Sequence, residues 1–182
     1  MNIQCSEVAN VYGTATEMVD VFSWLKQTCS QMVPKKNRPA LMPHGIFYRR
    51  QADAITRHSG LIQIDIDAKE NPHVQDWAHA RDLMGKQPHV LCSSISASGA
   101  GIFILVMVDR EKRPSEMGID VKAWHRTQAA TAIDYIESCW EGEGLGLVNI
   151  DTKVANNLAS LRFMASDENL WVNVDCTPIS EA

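Results

Sequence analysis

The densest apolar run in the chain is Gly101-Ile-Phe-Ile-Leu-Val-Met-Val108, in which no polar residue alternates. A strand reads that way when both of its faces are covered, so the run predicts a buried strand over 101–108. Residues 60–66 predict a second strand and 89–93 a third. Between these two, residues 74–84 carry helical spacing that stops at Gly85. A long helix is predicted over about 121–140, with Asp120 as its N-cap. Short strands are predicted at 45–48, 147–151, 160–164 and 171–174. Upstream, Met18, Val21, Phe22, Leu25, Cys29 and Met32 recur at helical spacing. Thr14-Ala-Thr-Glu17 fits a capping box ahead of them, so a helix is expected over 16–31.

In order, the middle of the chain reads β-α-β-β-α-β. That is an α+β arrangement of the ferredoxin/RRM-like split βαβ kind, with an N-terminal helical addition and C-terminal strand additions. In it the first and third strands are central neighbours, so the Asp65/Asp67 end would lie beside whatever the later strands present. A chain of 182 residues suits one domain, 1–182, with an N-terminal extension of about 1–58 and a core at 59–175. Hydrophobic residues make up 45% and charged residues 21%, an ordinary globular balance. The formal charge of −5 argues against a general polyanion binder, so nucleic-acid contact needs a local patch. Lys35, Lys36 and Arg38, with Arg49 and Arg50, are the clusters available; solvated loops use the same residues. Cys5, Cys29, Cys92, Cys139 and Cys176 form no Cys-x-x-Cys pair and read as small core residues. No secretory leader opens the sequence and no apolar run has membrane-spanning length, so a cytoplasmic protein is expected.

Four segments carry candidate chemistry. Asp65 and Asp67 stand at i and i+2 at the end of the 60–66 strand, so their side chains share one face. Such a pair is either a strand end turning polar or a place where a divalent cation offsets like-charge repulsion. The loop Ser93-Ser-Ile-Ser96-Ala-Ser98-Gly99-Ala-Gly101 offers hydroxyls and exposed N–H groups of the kind that cradle phosphate, and equally suits a plain hairpin turn. Asp151 follows an apolar stretch as a third carboxylate or as a turn starter, with Lys153 close by. Arg162 sits inside the apolar run 161–164 and needs an acidic partner or a phosphate.

The order of these motifs resembles that of archaeo-eukaryotic-type primases. The nearer resemblance is to primase-like domains at the N-terminus of mobile-element and phage replication proteins, the group labelled VirE N-terminal. It rests on Ser59-Gly-Leu-Ile-Gln-Ile-Asp65-Ile-Asp67, on Ser96-Ala-Ser98-Gly99-Ala-Gly101-Ile, on Ile150-Asp151, and on Arg162-Phe163 with Ser166-Asp167 and Asn173, over about residues 40–175. The resemblance implies metal-dependent nucleotidyl transfer that makes or extends primers on a single-stranded DNA template. Asp65, Asp67 and Asp151 would be the catalytic carboxylates holding Mg²⁺ or Mn²⁺. Ser96, Ser98, Gly99, Gly101, Lys153 and Arg162 would contact a nucleoside triphosphate. A replicative helicase would be a partner. Active relatives usually carry a basic residue, often His, after the glycine hairpin; this chain has Ile102-Phe103-Ile104. His89 and His125 are the substitutes to weigh against structural roles. The alternative is a catalytically inactive domain that binds nucleic acid or a partner, with Phe47, Tyr48 and Trp171 as candidate stacking aromatics. A nicking initiator is disfavoured, because no His-hydrophobic-His pair accompanies Tyr12, Tyr48 or Tyr135.

Overall fold

The computed structural model describes residues 2–108 and 120–179. It is an α+β fold built mainly from antiparallel strands. Its centre is a sheet of β6 (Leu61–Asp67), β7 (Val90–Ile95), β8 (Gly101–Met107) and β10 (Trp171–Val172), in the order β10-β7-β8-β6. β6 and β7 each pair antiparallel with β8, so they run parallel to one another with β8 between them. Helix α2 (Trp77–Gly85) connects them, capped by Asp76, which accepts from the His79 N–H. A long helix, α3 (Val121–Gly142), follows β8 and is capped by Asp120 as expected.

Alternation along the strands explains the two-sided burial. Ile62, Ile64 and Ile66 of β6 and Ile102, Ile104 and Val106 of β8 face the helices, where Met84, Ile136 and Trp140 meet them. Leu61 of β6 and Phe103, Leu105 and Met107 of β8 face the other way, against Ile3, Cys5, Trp24 and Leu41. The continuous apolar run of β8 is thus a strand between two cores.

The second core is closed by a second sheet, ordered β2-β1-β3-β9: β1 (Gln4–Val8), β2 (Glu17–Asp20), β3 (Ala40–Met42) and β9 (Arg162–Phe163). A hairpin of β4 (Gly45–Phe47) and β5 (Ile55–His58) packs beside it.

Several expectations change here. The helix over 16–31 does not form, and neither does its capping box. Glu17–Asp20 pairs with β1 instead, and the helix is only α1 (Val21–Leu25), capped by Asp20. Beyond it, the carbonyls of Gln31 and Val33 accept from the Arg38 guanidinium rather than from a helical ladder. The N-terminal addition is therefore mostly strand, and Cys29 lies in an irregular segment, its N–H donating to the Ala165 carbonyl. Residues 147–151 form no strand. They run beside the edge of β6, but the backbone of Asn149 is taken by the buried Asn71 side chain rather than by a strand ladder. Its Oδ1 accepts from the Asn149 N–H at 2.7 Å, and its Nδ2 donates to the Asn149 carbonyl at 2.9 Å and to the Asp67 carbonyl at 3.0 Å. The strands expected at 160–164 and 171–174 shorten to β9 and β10. All five cysteines are free thiols.

Candidate functional site

Three segments converge on the C-terminal end of β6. Asp65 and Asp67 project from the same strand face, Asp65 largely enclosed and Asp67 exposed. Asp151 opens the short helix α4 (Thr152–Asn156) as its N-cap. Its own N–H donates to the Asp65 carbonyl at 3.0 Å, which docks the segment onto the strand. The Asp151 carboxylate caps α4 through Oδ1, accepting from Lys153 N and Val154 N; Oδ2 takes no part in the cap. Asp67, Asp151 and Lys153 line one open cleft with Glu70, Asn149 and Thr152.

Among the described residues, no three His, Cys, Asp or Glu side chains are gathered tightly enough to hold a metal ion as they stand. Asp65 instead meets fixed protein charge. Burial pushes its carboxyl up from the ordinary range; Arg162 and a 3.0 Å hydrogen bond from Gln63 Nε2 pull it back down. Asp67 pushes it up again, and Lys35 lowers it.

Arg162 is buried and keeps its charge, although burial draws its pKa down to about 10. Its guanidinium lies 3.3 Å over the centre of the Phe103 ring, and Nη2 donates to the Ile95 carbonyl. Phe103 is the direct cross-strand partner of Asp65. A cation therefore sits on the aromatic face beside the carboxylate. Among the described residues, Arg162 Nε has no hydrogen-bond partner.

The hairpin between β7 and β8 borders the same end of the sheet. Ser96 N–H donates to the Gly101 carbonyl and Gly99 N–H to the Ser96 carbonyl, which makes a tight turn with Ser98, Gly99 and Ala100 exposed. The Ser96 and Ser98 hydroxyls are 2.9 Å apart. Gly101, at φ 119°, lies so close to the Ile66 carbonyl that no side chain fits there, and it faces Asp67 across the ladder. Arg38, buried, ties the preceding basic loop to this turn by donating to the Ala97 and Met164 carbonyls.

The other candidates fall elsewhere. His125 is buried, donating to the Ala155 carbonyl and bonded to His58; His89 bonds the Thr177 carbonyl. Neither stands in for a basic residue after the hairpin. Phe47 is core, and Trp171 packs on Gly85 of α2. Tyr48 is exposed, with Arg49 over its ring.

Sequence reasoning missed Asn71 and Gln63, and it missed the structural roles of Arg38 and Asp167, the former having been weighed only as part of a basic patch. Asp167 accepts from Arg81, Ser94 and the Ile95 N–H, so it latches the C-terminal segment to β7 and α2. An Asn soon after a strand end and an Arg between two prolines were the available signals; neither has a fixed spacing to its partner.

Among the described residues, no helix is long and apolar enough to cross a membrane. The family model described as BT4734-like, N-terminal domain matches residues 33–170. No curated protein and no solved structure matches the chain.

Proposed function

The chain belongs to the BT4734-like, N-terminal domain family, and from the geometry of its β6 end we propose that it is a primase-like domain carrying out metal-dependent nucleotidyl transfer on a single-stranded DNA template. One observation carries the reading. The Asp151 N–H bonds the Asp65 carbonyl, so the third carboxylate of the motif set is docked beside the first two across a long stretch of sequence. The pairing of β6, β8 and β7, with α2 joining the two parallel strands, supports a split βαβ core of the ferredoxin type, although residues 147–151 beside β6 form no fourth strand.

In this reading Asp65, Asp67 and Asp151 hold Mg²⁺ or Mn²⁺, which supplies charge neutralisation and nucleophile activation when bound. The donor chemistry suits the ion, since Asp67 and Asp151 offer oxygen ligands at the open cleft, but Asp65 lies outside that lining and its side chain would have to turn toward the cleft to join them. Asp65 and Asp67 share a strand face, and Asp151 keeps Oδ2 outside its helix cap. The exposed Ser96–Ala100 turn and Lys153 receive the triphosphate. Arg162, stacked on Phe103, brings to the site the positive charge that the residue after the hairpin lacks. Single-stranded template and a replicative helicase are the partners this activity implies.

A second reading has one observation in its favour: Asp151 already serves as an N-cap, a purely structural use. In that case the domain binds nucleic acid or a replication partner without catalysis. Calorimetry with Mn²⁺ and a nucleoside triphosphate separates the cases from a null result: binding is expected in the native chain and lost in Asp65→Ala/Asp67→Ala. A primer-synthesis assay on single-stranded DNA then decides catalysis. Nucleotide binding without product removes the enzyme reading; absence of Mn²⁺ binding removes the site.

A further inference from the structure

Behind the β6 end lies a buried cluster of three histidines: His44, just ahead of β4; His58, at the end of β5; and His125, on α3. Every ring nitrogen in it is engaged. The Gln63 N–H donates to His44 Nε2 at 3.1 Å, so the proton of His44 sits on Nδ1, which donates to the Leu158 carbonyl at 3.2 Å. The Gly60 N–H donates to His58 Nδ1 at 3.0 Å, which places the His58 proton on Nε2, 3.0 Å from His125 Nδ1. His125 then donates from Nε2 to the Ala155 carbonyl at 2.9 Å. Backbone donors fix the tautomers of His44 and His58, His58 and the Ala155 carbonyl fix that of His125, and the three rings form one neutral network.

The network touches the two elements that carry the carboxylates. Gln63 is two residues before Asp65, and its side chain bonds Asp65 Oδ1. Ala155 lies in α4, and Leu158 lies just past its end. The α4 segment is therefore fastened to β6 at two points. At its start the Asp151 N–H reaches the Asp65 carbonyl directly; beyond its end the Leu158 carbonyl reaches the Gln63 N–H through the His44 ring. The His125 ring rests against that of His44, with centroids 4.5 Å apart.

We propose that His44 is a positioning residue for the carboxylate site: by bridging the Gln63 N–H and the Leu158 carbonyl, it sets where Asp151 stands relative to Asp65 and Asp67. The inference rests on the metal-site reading for its consequence, although the bridge can be tested without metal. The Gln63 N–H and Leu158 carbonyl are buried, so losing the imidazole leaves both without their partner and frees the far end of the segment.

The test compares His44→Ala with His58→Ala. His58 is equally buried, but among the described residues its ring nitrogens bond Gly60 and His125, not Gln63 or Leu158, and it reaches α4 only through His125. Its loss is the structural control. Mn²⁺ affinity, read by electron paramagnetic resonance well below each variant's melting temperature, is expected to fall about tenfold or more in His44→Ala, the range for losing a group that orients metal ligands. In His58→Ala it is expected to stay within about threefold, below that range. His44→Gln, which restores a donor and an acceptor, is expected to recover part of the loss. In the metal-free chain, the Asp151 amide is expected to lose hydrogen-exchange protection in His44→Ala and to keep it in His58→Ala. Equal losses in both variants, or an unchanged Asp151 amide in His44→Ala, overturn the positioning role. If the native chain binds no Mn²⁺, the metal-site reading fails, while the amide result still decides the bridge. Should His44→Ala not fold, His44→Phe fills the ring volume without either bond and carries the same prediction.

Discussion

The histidine cluster should make the fold sensitive to mild acid. All three rings are neutral in the native state. Burial drives the pKa of His44 and His58 well below the usual 6.5, with neighbouring rings adding to it, and burial draws His125 down to about 4. In the unfolded chain each returns to the ordinary value, so between these limits the unfolded state binds more protons and stability falls as pH falls. The stabilisation is complete above pH 6.5 and is lost progressively toward the native pKa values. A histidine that stays neutral in the fold loses about 1.4 kcal/mol of stability between pH 7.5 and 5.5, so three lose about 4 kcal/mol. That is a large part of the ~5–15 kcal/mol of a typical domain. Asp65 acts in the opposite sense. Its pKa is raised, so protonation relieves a buried charge as pH falls through its native value. The assay is urea unfolding at pH 7.5 and 5.5 with ionic strength held fixed. A drop of about 4 kcal/mol is expected, and His58→Phe should remove about a third of it. An unfolding midpoint that does not move between the two pH values would refute the claim that these rings are neutral and committed.

Other outcomes follow from single contacts. Asp167→Ala leaves Arg81, Ser94 and the Ile95 N–H without their shared acceptor and should cost about 3 kcal/mol by urea unfolding. A cost below ~1 kcal/mol would mean that the nearby Asp82 carboxylate takes over the arginine. Gly101→Ala combines a φ of 119° with a clash on the Ile66 carbonyl and should cost about 3–5 kcal/mol. Gly99→Ala, at φ 77° with open space around it, should cost only about 1–2 kcal/mol. Equal melting temperatures for the two glycine variants would contradict the close approach of the hairpin to β6.

The parts of the fold legible in the sequence were those whose signal is local. β6, β8, α2 and α3 announce themselves through burial on one or two faces and through side-chain caps such as Asp120. The N-terminal strands were not legible, because β1 and β2 owe their conformation to pairing with each other and with β3. Helical spacing in Met18, Val21 and Phe22 was real but too short to prevail over that ladder. Asp65 and Asp67 could be paired from alternation alone. That Asp151 lies beside them could not be derived, since Asn71 and His44 hold its segment and neither contact has a sequence period. Arg162 was recognisable as a charge needing a partner, but its bed on Phe103 was not, because stacking across two sheets leaves no trace in spacing.

The pairing of β1 and β2 onto β3 bears on what counts as a transferable module. The span matched by the family, 33–170, leaves out both strands, along with Ile3, Cys5, Val21, Trp24 and Leu25, which cover the Leu61 and Phe103 side of the central sheet. It also stops one residue short of β10, which edges β7. A chain trimmed to that span would present an unpaired β3 edge and an uncovered apolar sheet face, two features that promote association between copies. The span matched by the family and the unit that packs as one fold therefore have different borders. Grafting experiments should cut ahead of Ile3, whose carbonyl accepts from the Val21 N–H, and after Ile179, whose N–H bonds the Met107 carbonyl.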